Sequence, residues 1–392
     1  MENSACSEVS LVRCKSYSRD EVGASVRKAL DLIGGLGSFI KKGERVLLKP
    51  NILSPSEPDK GIDTHPEVVR AVALLVKEAG AIPVVGDSPG GYHLNFIENV
   101  YAKSGIKAVC DEEGIELVKF DKAVLVENKG PSASCGLKHI PIAKEALRAD
   151  KIISLPKMKT HSLTVLTGAV KNMFGAVVGL HKVECHKMAP NADDFAKILI
   201  DVYGAVRPHL AVMDGVVAME GFGPATGGTL KDMGLILASP DAVALDSVFA
   251  RIAGAAPESL KTLSLAQKRG LGRIRDVEIK GESLDSIPSG FELPGVDLSA
   301  KLPSFISRPI ARFIKFYPYI DRVKCVKCRM CAKSCPASAI TIDDKISGID
   351  YKKCISCMCC SEVCAYNAVF IKRGLLTKLL KMVKDVRYDQ DN

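Results

Sequence analysis

Over residues 1–301, short apolar runs alternate with longer stretches in which apolar side chains return every third or fourth position. The first pattern fits buried strands and the second fits helices with one buried face. Residues 9–12, 45–49, 82–86, 116–120, 123–126, 152–155, 209–214 and 235–238 read as strands. Residues 20–33, 66–79, 95–103, 107–113, 192–206 and 241–252 read as helices, and a further helix is expected to start near Leu163 and to carry Lys171 and Asn172. Ser18 stands where it can cap the first helix. Pro66 takes the first turn of the second, with Thr64 or His65 at its cap. Strands alternating with helices predict an α/β domain on a mostly parallel sheet.

The pattern changes after residue 301. Pro303, Pro309 and Pro318 interrupt an aromatic and basic segment, read as a packed linker over 302–322. Residues 323–373 hold a cysteine block, expected to form a small α+β ferredoxin-like two-cluster domain. Over 374–392, Leu375, Leu376, Leu379, Leu380, Val383 and Val386 recur at helical spacing with lysines between them. This amphipathic helix either packs on the protein or contacts a membrane surface.

The cysteine block carries the most specific chemistry. Nine of the 14 cysteines fall between Cys325 and Cys364. Cys325, Cys328, Cys331 and Cys335 form one C-x-x-C-x-x-C-x-x-x-C run, and Cys354, Cys357, Cys360 and Cys364 form a second. This is the bacterial ferredoxin spacing, in which the fourth cysteine of each run serves the other cluster. Two 4Fe-4S clusters are therefore expected, one on Cys325, Cys328, Cys331 and Cys364, the other on Cys354, Cys357, Cys360 and Cys335. Zinc favours isolated C-x-x-C pairs, and disulfides need an oxidising compartment, so neither fits as well. Cys359 lies outside the pattern, and Ala365 stands where proline usually follows the last ligand.

Composition adds a location for the charge. The chain carries a net +9, and from Ala311 to Asn392 there are 16 Lys or Arg against 8 Asp or Glu. Oxidised cubanes with four thiolates carry about −2 each, so the excess offsets the clusters and leaves a surface suited to an acidic redox partner protein. Nucleic acid is not an expected partner. With 47% hydrophobic residues, no apolar stretch of membrane-spanning length and no secretory pattern at its start, the chain reads as cytoplasmic.

In an open α/β sheet ligands bind beyond the carboxyl ends of the strands. Lys49 and Asn51 follow one predicted strand, Asp87 and Ser88 another, Lys157, Lys159, Thr160 and His161 a third, and Glu220, Gly221 and Gly223 a fourth. With Lys171 and Asn172 they form a candidate site for a small anion, since lysines pair with carboxylate or phosphate and glycines let backbone N–H groups approach. Lys159 and His161 are the candidate catalytic residues, with His161 as proton donor. His181, Cys185 and His186 form a weakly diagnostic metal spacing. No Walker A or dinucleotide fingerprint is present.

The stretches Leu48-Lys49-Pro50-Asn51, Thr64-His65-Pro66-Glu67-Val68-Val69, Gly86-Asp87-Ser88-Pro89-Gly90, Pro156-Lys157-Met158-Lys159-Thr160-His161, Thr167-Gly168-Ala169-Val170-Lys171-Asn172-Met173-Phe174-Gly175 and Glu220-Gly221-Phe222-Gly223-Pro224 resemble the domain of unknown function family 362, in the form fused to a C-terminal 4Fe-4S ferredoxin domain. The resemblance implies an α/β domain and cluster binding; it supplies no substrate. Two functions follow as expectations. In one, the ferredoxin part feeds electrons to an anionic small molecule in the α/β domain, as in a reductase. In the other, the protein is a dedicated electron carrier or adaptor. A ligase, isomerase or transferase with structural or redox-sensing clusters is a weaker third. No flavin motif is recognisable, and a flavin stays open.

Overall fold

Residues 6–90, 96–189, 191–225, 227–294, 316–343 and 347–373 are described by the structure, a computed structural model of the 392-residue chain. The expected C-terminal helix, and the expected linker up to residue 315, lie outside these residues.

The apolar runs become the strands of one ten-stranded mixed sheet. Its strands are β1 (Ser7–Arg13), β2 (Arg45–Pro50), β3 (Ile82–Val85), β4 (Glu116–Leu117), and, past a separate hairpin of β5 (Ala123–Glu127) with β6 (His139–Ala143), β7 (Lys151–Leu155), β8 (Lys157–His161), β9 (Val165–Leu166), β10 (Leu210–Gly221), β11 (Gly228–Ser239) and β12 (Val277–Gly281). The order is β12-β1-β11-β10-β7-β2-β3-β4, with β8 joined to β10 and β9 to β8. The run from β10 to β4 is parallel, and β11 is antiparallel to both of its neighbours. The α/β expectation holds, with a mostly parallel sheet.

Alternation along the central strands divides the core. Leu47, Ile152, Ala211 and Met213 pack on one face of the sheet. Val46, Leu48, Ile153, Leu155 and Val212 pack on the other. Successive side chains of a strand point to opposite faces, and here both faces are covered, so the strands are apolar throughout. Helix Pro66–Glu78 covers one face with Val68, Val69, Val72 and Val76, and His65 caps it, its Nδ1 accepting the Glu67 N–H at 3.2 Å. Ser18 makes no side-chain cap for helix Arg19–Asp31.

Three local departures from the expected elements shape the site. Past the strand expected at 152–155 the chain steps sideways at Pro156 and continues as β8, because β10 is long enough to pair with both β7 and β8. The helix expected near Leu163 begins instead at Gly168 (Gly168–Asn172). Val165 sits at φ 68, and the Asp246 carboxylate accepts the N–H groups of Ala169 (2.6 Å) and Val170 (2.9 Å). Gly168 itself has φ +49, and a Cβ there would lie 2.4 Å from that carboxylate. Residues 123–127, finally, form the hairpin with β6 rather than a strand of the main sheet.

The cysteine block folds as a small unit of β13 (Phe316–Ile320), β14 (Ile340–Ile342), β15 (Ser347–Ile349) and β16 (Val369–Arg373) with short helices Met330–Lys333 and Cys359–Glu362. The outer pair β13–β16 and the inner pair β14–β15 are antiparallel. The two cysteine runs share one backbone course. Lys327, Arg329 and Ser338 have positive φ in the first, and Ser356, Met358 and Asn367 in the second. Cys325 N donates to Asp321 O, and Cys354 N to Asp350 O. Ala339 N donates to Cys335 Sγ and Ala368 N to Cys364 Sγ, both at 3.3 Å. The sequence repeat is thus a structural repeat.

Candidate functional site

The two runs exchange their last cysteines. Cys325, Cys328, Cys331 and Cys364 border one cavity of about 340 Å³, its mouth included. Burial, then the neighbouring sulfurs of Cys364, Cys328 and Cys325, push the Cys331 thiol up to about 12. Cys360 is raised well above the usual thiol range by burial and then by Cys357, Cys331, Cys354 and Cys335. Four crowded thiols resist joint ionisation unless a cationic core lies between them, so the donor set fits iron–sulfur clusters. Among the described residues, no three His, Cys, Asp or Glu side chains converge as a single-ion site, which holds for His181, Cys185 and His186 as well.

A second cavity lies between the α/β domain and the cysteine unit. It encloses about 720 Å³ including its open mouth. Asn51, Asp87, Ser88, Lys171 and Asn172, all expected site residues, form its wall together with Lys182 and His186. Ser334, Cys359, Glu362 and Val363 close it from the cysteine unit. The Cys359 thiol donates to the Cys357 sulfur, so this wall is continuous with the second cysteine set.

The buried lysines have separate fates. Lys49 (0% exposed) lies 2.7 Å from Asp87 Oδ1 and donates to Asn172 Oδ1 at 3.2 Å. A Cβ on Gly175 would sit 2.1 Å from that Asp87 oxygen, so glycine makes room for the pair. Lys157 Nζ donates to Asp214 Oδ2 (2.8 Å) and to Tyr17 Oη (2.6 Å), whose ring stacks on His65 at 3.6 Å. Lys159 donates to the Ile62 carbonyl and faces Asp63; burial pushes the lysine down and the carboxyl up. Lys182 donates to the carbonyls of Ser88 and Pro89, and burial lowers it to about 7. Lys171 lines the cleft and, among the described residues, its side chain makes no hydrogen bond. Burial lowers its pKa, opposed by Glu362 and Cys359.

His161 stands behind this wall. Its Nδ1 accepts the N–H groups of Leu163 (3.0 Å) and Thr164 (3.3 Å), which leaves the ring proton on Nε2, 3.1 Å from Glu362 Oε1. Burial, then Lys171, lowers His161 to about 4, so it is neutral at pH 7. Burial pushes the Glu362 carboxyl up, and the neighbouring His161 with Lys171 more than offsets it, to about 2. Glu362 therefore carries negative charge beside Lys171. His186 is stacked on Phe195 at 4.1 Å, and its Nδ1 has no hydrogen-bond partner among the described residues; nor does Asn51 Oδ1.

Glu220, Gly221 and Gly223 lie away from the cleft wall. Glu220 pairs with Lys231 at 3.0 Å, Gly221 N donates to Glu292 O, and Gly223 O accepts from Ser162. Lys182, Glu362 and Cys359 are cleft residues that the strand-end reading passed over. Lys182 and His186 lie on helix His181–Met188, which the hydrophobic pattern does not mark, while Glu362 and Cys359 read only as spacers between cysteine ligands.

Residues 46–251 match the family described as a domain of unknown function (DUF362), more than half of the chain. The chain belongs to the DUF362 family. Residues 317–365 match a 4Fe-4S dicluster domain, so the DUF362 domain is joined here to an iron–sulfur unit of the electron-transfer type. A thylakoid-associated protein of Synechocystis sp. is 38% identical over 268 residues, 67% of this chain and 79% of that protein. The lactate racemase apoprotein of Thermoanaerobacterium thermosaccharolyticum is 14% identical with a TM-score of 0.36, over 56% of this chain and 54% of that one. No helix among the described residues of this DUF362 protein is long and apolar enough to cross a membrane.

Proposed function

We propose that this protein is a two-cluster iron–sulfur redox enzyme acting on a small anionic molecule held between its two regions. Cys325, Cys328, Cys331 and Cys364 hold one 4Fe-4S cluster, and Cys354, Cys357, Cys360 and Cys335 the other. When bound, the clusters supply single electrons. The observation that carries the reading is the shared wall of the cleft: Asn51, Lys171 and Asn172 on one side, Cys359 and Glu362 from within the second cysteine run on the other. A ligand there touches both the substrate-sized domain and the redox unit.

Lys171 binds the anion, because its side chain faces the cleft without a hydrogen-bonding partner among the described residues; lining the cleft, it is also placed to hand over one of the protons a two-electron reduction consumes. Lys49 and Lys157, committed to Asp87 and Asp214, shape the site from behind. His161 takes a positioning role rather than that of proton donor, since it lies behind the cleft wall with its Nε2 3.1 Å from Glu362 Oε1.

Anaerobic native mass spectrometry tests the proposal. The wild type should retain, or rebind from a carboxylate panel, a small anion. Lys171→Gln should bind it about 10–100-fold more weakly, as expected for a lost charged hydrogen bond. If no anion binds the wild type, or both proteins bind it equally, the enzyme reading falls and the carrier reading replaces it.

A further inference from the structure

The internal repeat allows one cysteine loop to serve as a reference for the other. In the second run Ile355, Ser356 and Cys357 are half-buried and Met358 is 4% exposed, on the side that reaches the cleft. At the matching positions of the first run Val326, Lys327, Cys328 and Arg329 are all exposed. Around this run Val323 is 95% exposed and Tyr366 53%, and the cations Arg322, Lys324, Lys327 and Arg329 are exposed as well. Val326, Cys328, Arg329 and Tyr366 border the cavity of the first cysteine set. Exposed apolar side chains among cations are what a transient interface with an acidic protein needs: charge steers the encounter and the apolar groups exclude water.

We propose that this face is the docking surface for an acidic one-electron carrier protein, which seats over Cys328 at the outer cysteine set while the inner set faces the cleft. The proposal rests on the iron–sulfur reading above. An anionic membrane would also meet the cations, but it gains nothing from a cysteine ligand at the centre of the patch, whereas a redox protein needs close approach there.

Oxidised flavodoxin, an acidic carrier, is the probe, titrated calorimetrically into the anaerobic full-length holoprotein. Binding should weaken at least about tenfold between about 50 and 500 mM NaCl. Lys324→Glu with Arg329→Glu should weaken it by about tenfold or more at low salt, while Lys352→Glu with Lys353→Glu, charges beside the second run, should change it by less than about twofold. Carbodiimide cross-linking of the wild type gives a second readout that needs no variant, and Lys324 or Lys327 should be the linked lysine. Equal binding by both double variants, cross-links confined to other lysines, no flavodoxin binding, or binding only to anionic phosphatidylglycerol vesicles would each overturn the proposal. None of these readouts depends on the cleft, so a failed anion experiment leaves this one intact, and the reverse holds too.

Discussion

Gly175→Ala tests whether the Lys49–Asp87 pair is wedged in place by the DUF362 sequence that surrounds it. The added Cβ would lie 2.1 Å from Asp87 Oδ1, 2.4 Å from Lys49 Nζ and 2.8 Å from Lys49 Cε. Real contacts of this kind need at least about 3 Å, so the carboxylate or the ammonium must retreat by roughly 1 Å in a close-packed interior. Both are tethered. Lys49 is 0% exposed and tethered to Pro50 O and Asn172 Oδ1, and Asp87 Oδ2 holds the Ile52 N–H at 2.9 Å. Separating a buried ion pair costs about 3–5 kcal/mol. For a domain of this size that is a fall in Tm of roughly 6–20 °C. Anaerobic calorimetry on the holoprotein measures it. Gly23→Ala is the control: it lies in helix Arg19–Asp31 with nothing within 4 Å of the new Cβ, and it should stabilise by about 0.5–1 kcal/mol. In a Lys49→Ala, Asp87→Ala background the Gly175→Ala cost should drop below about 1 kcal/mol. A Gly175→Ala protein that melts within a few degrees of wild type, or a penalty that survives removal of the pair, refutes the reasoning.

Other consequences are as direct. Burial pushes the Asp246 carboxyl up to about 7 from its ordinary 3.8, so the folded protein keeps this proton where the unfolded chain has lost it. Its contribution to stability therefore falls as pH rises from about 4 to about 7, by up to about 1.4 kcal/mol per unit. Asp246→Asn should flatten that part of the wild-type profile in urea unfolding, and parallel profiles would count against it. Cys335→Ser should remove the paramagnetic signal of the cluster on Cys354, Cys357 and Cys360, and Cys364→Ser that of the cluster on the first run. Loss of each cysteine's own-run cluster instead would reverse the assignment. Glu362→Gln removes the charge beside Lys171 and weakens the hold on His161, so amide exchange at Leu163 and Thr164 should quicken by roughly tenfold. Unchanged exchange would mean that Glu362 does not brace this junction.

The sequence showed its local physics clearly and its long-range pairings hardly at all. β2, β3 and β7 were legible because a strand buried on both faces must be apolar without a break. The cysteine runs were legible because ligand spacing is written in consecutive residues. The lysines were misleading for the opposite reason. Lys49, Lys157 and Lys159 look like open cations at strand ends, yet their partners, the carboxylates of Asp87 and Asp214 and the carbonyl of Ile62, arrive from distant segments with no local signature. The start of the helix at Gly168 was hidden in the same way, since its cap is Asp246, a side chain of helix Ala242–Ile252.

The same pairings explain why one lysine stands out. An ammonium taken out of water must find a partner or give up its proton. Lys49 and Lys157 meet this demand with carboxylates, and Lys159 and Lys182 with backbone carbonyls. Among the described residues Lys171 has neither; its opposing charge is Glu362, contributed by the cysteine unit, whose Oε1 lies 3.1 Å from His161 Nε2. Bringing the two regions together thus sets Lys171 and the acceptors Asn51 Oδ1 and His186 Nδ1, which have no hydrogen-bond partner among the described residues, into one small space. A domain that satisfies its other buried lysines so thoroughly leaves this one for something that comes and goes. A small anion that also carries a hydrogen-bond donor answers all three groups at once, which ties the choice of ligand to the docked position of the iron–sulfur unit.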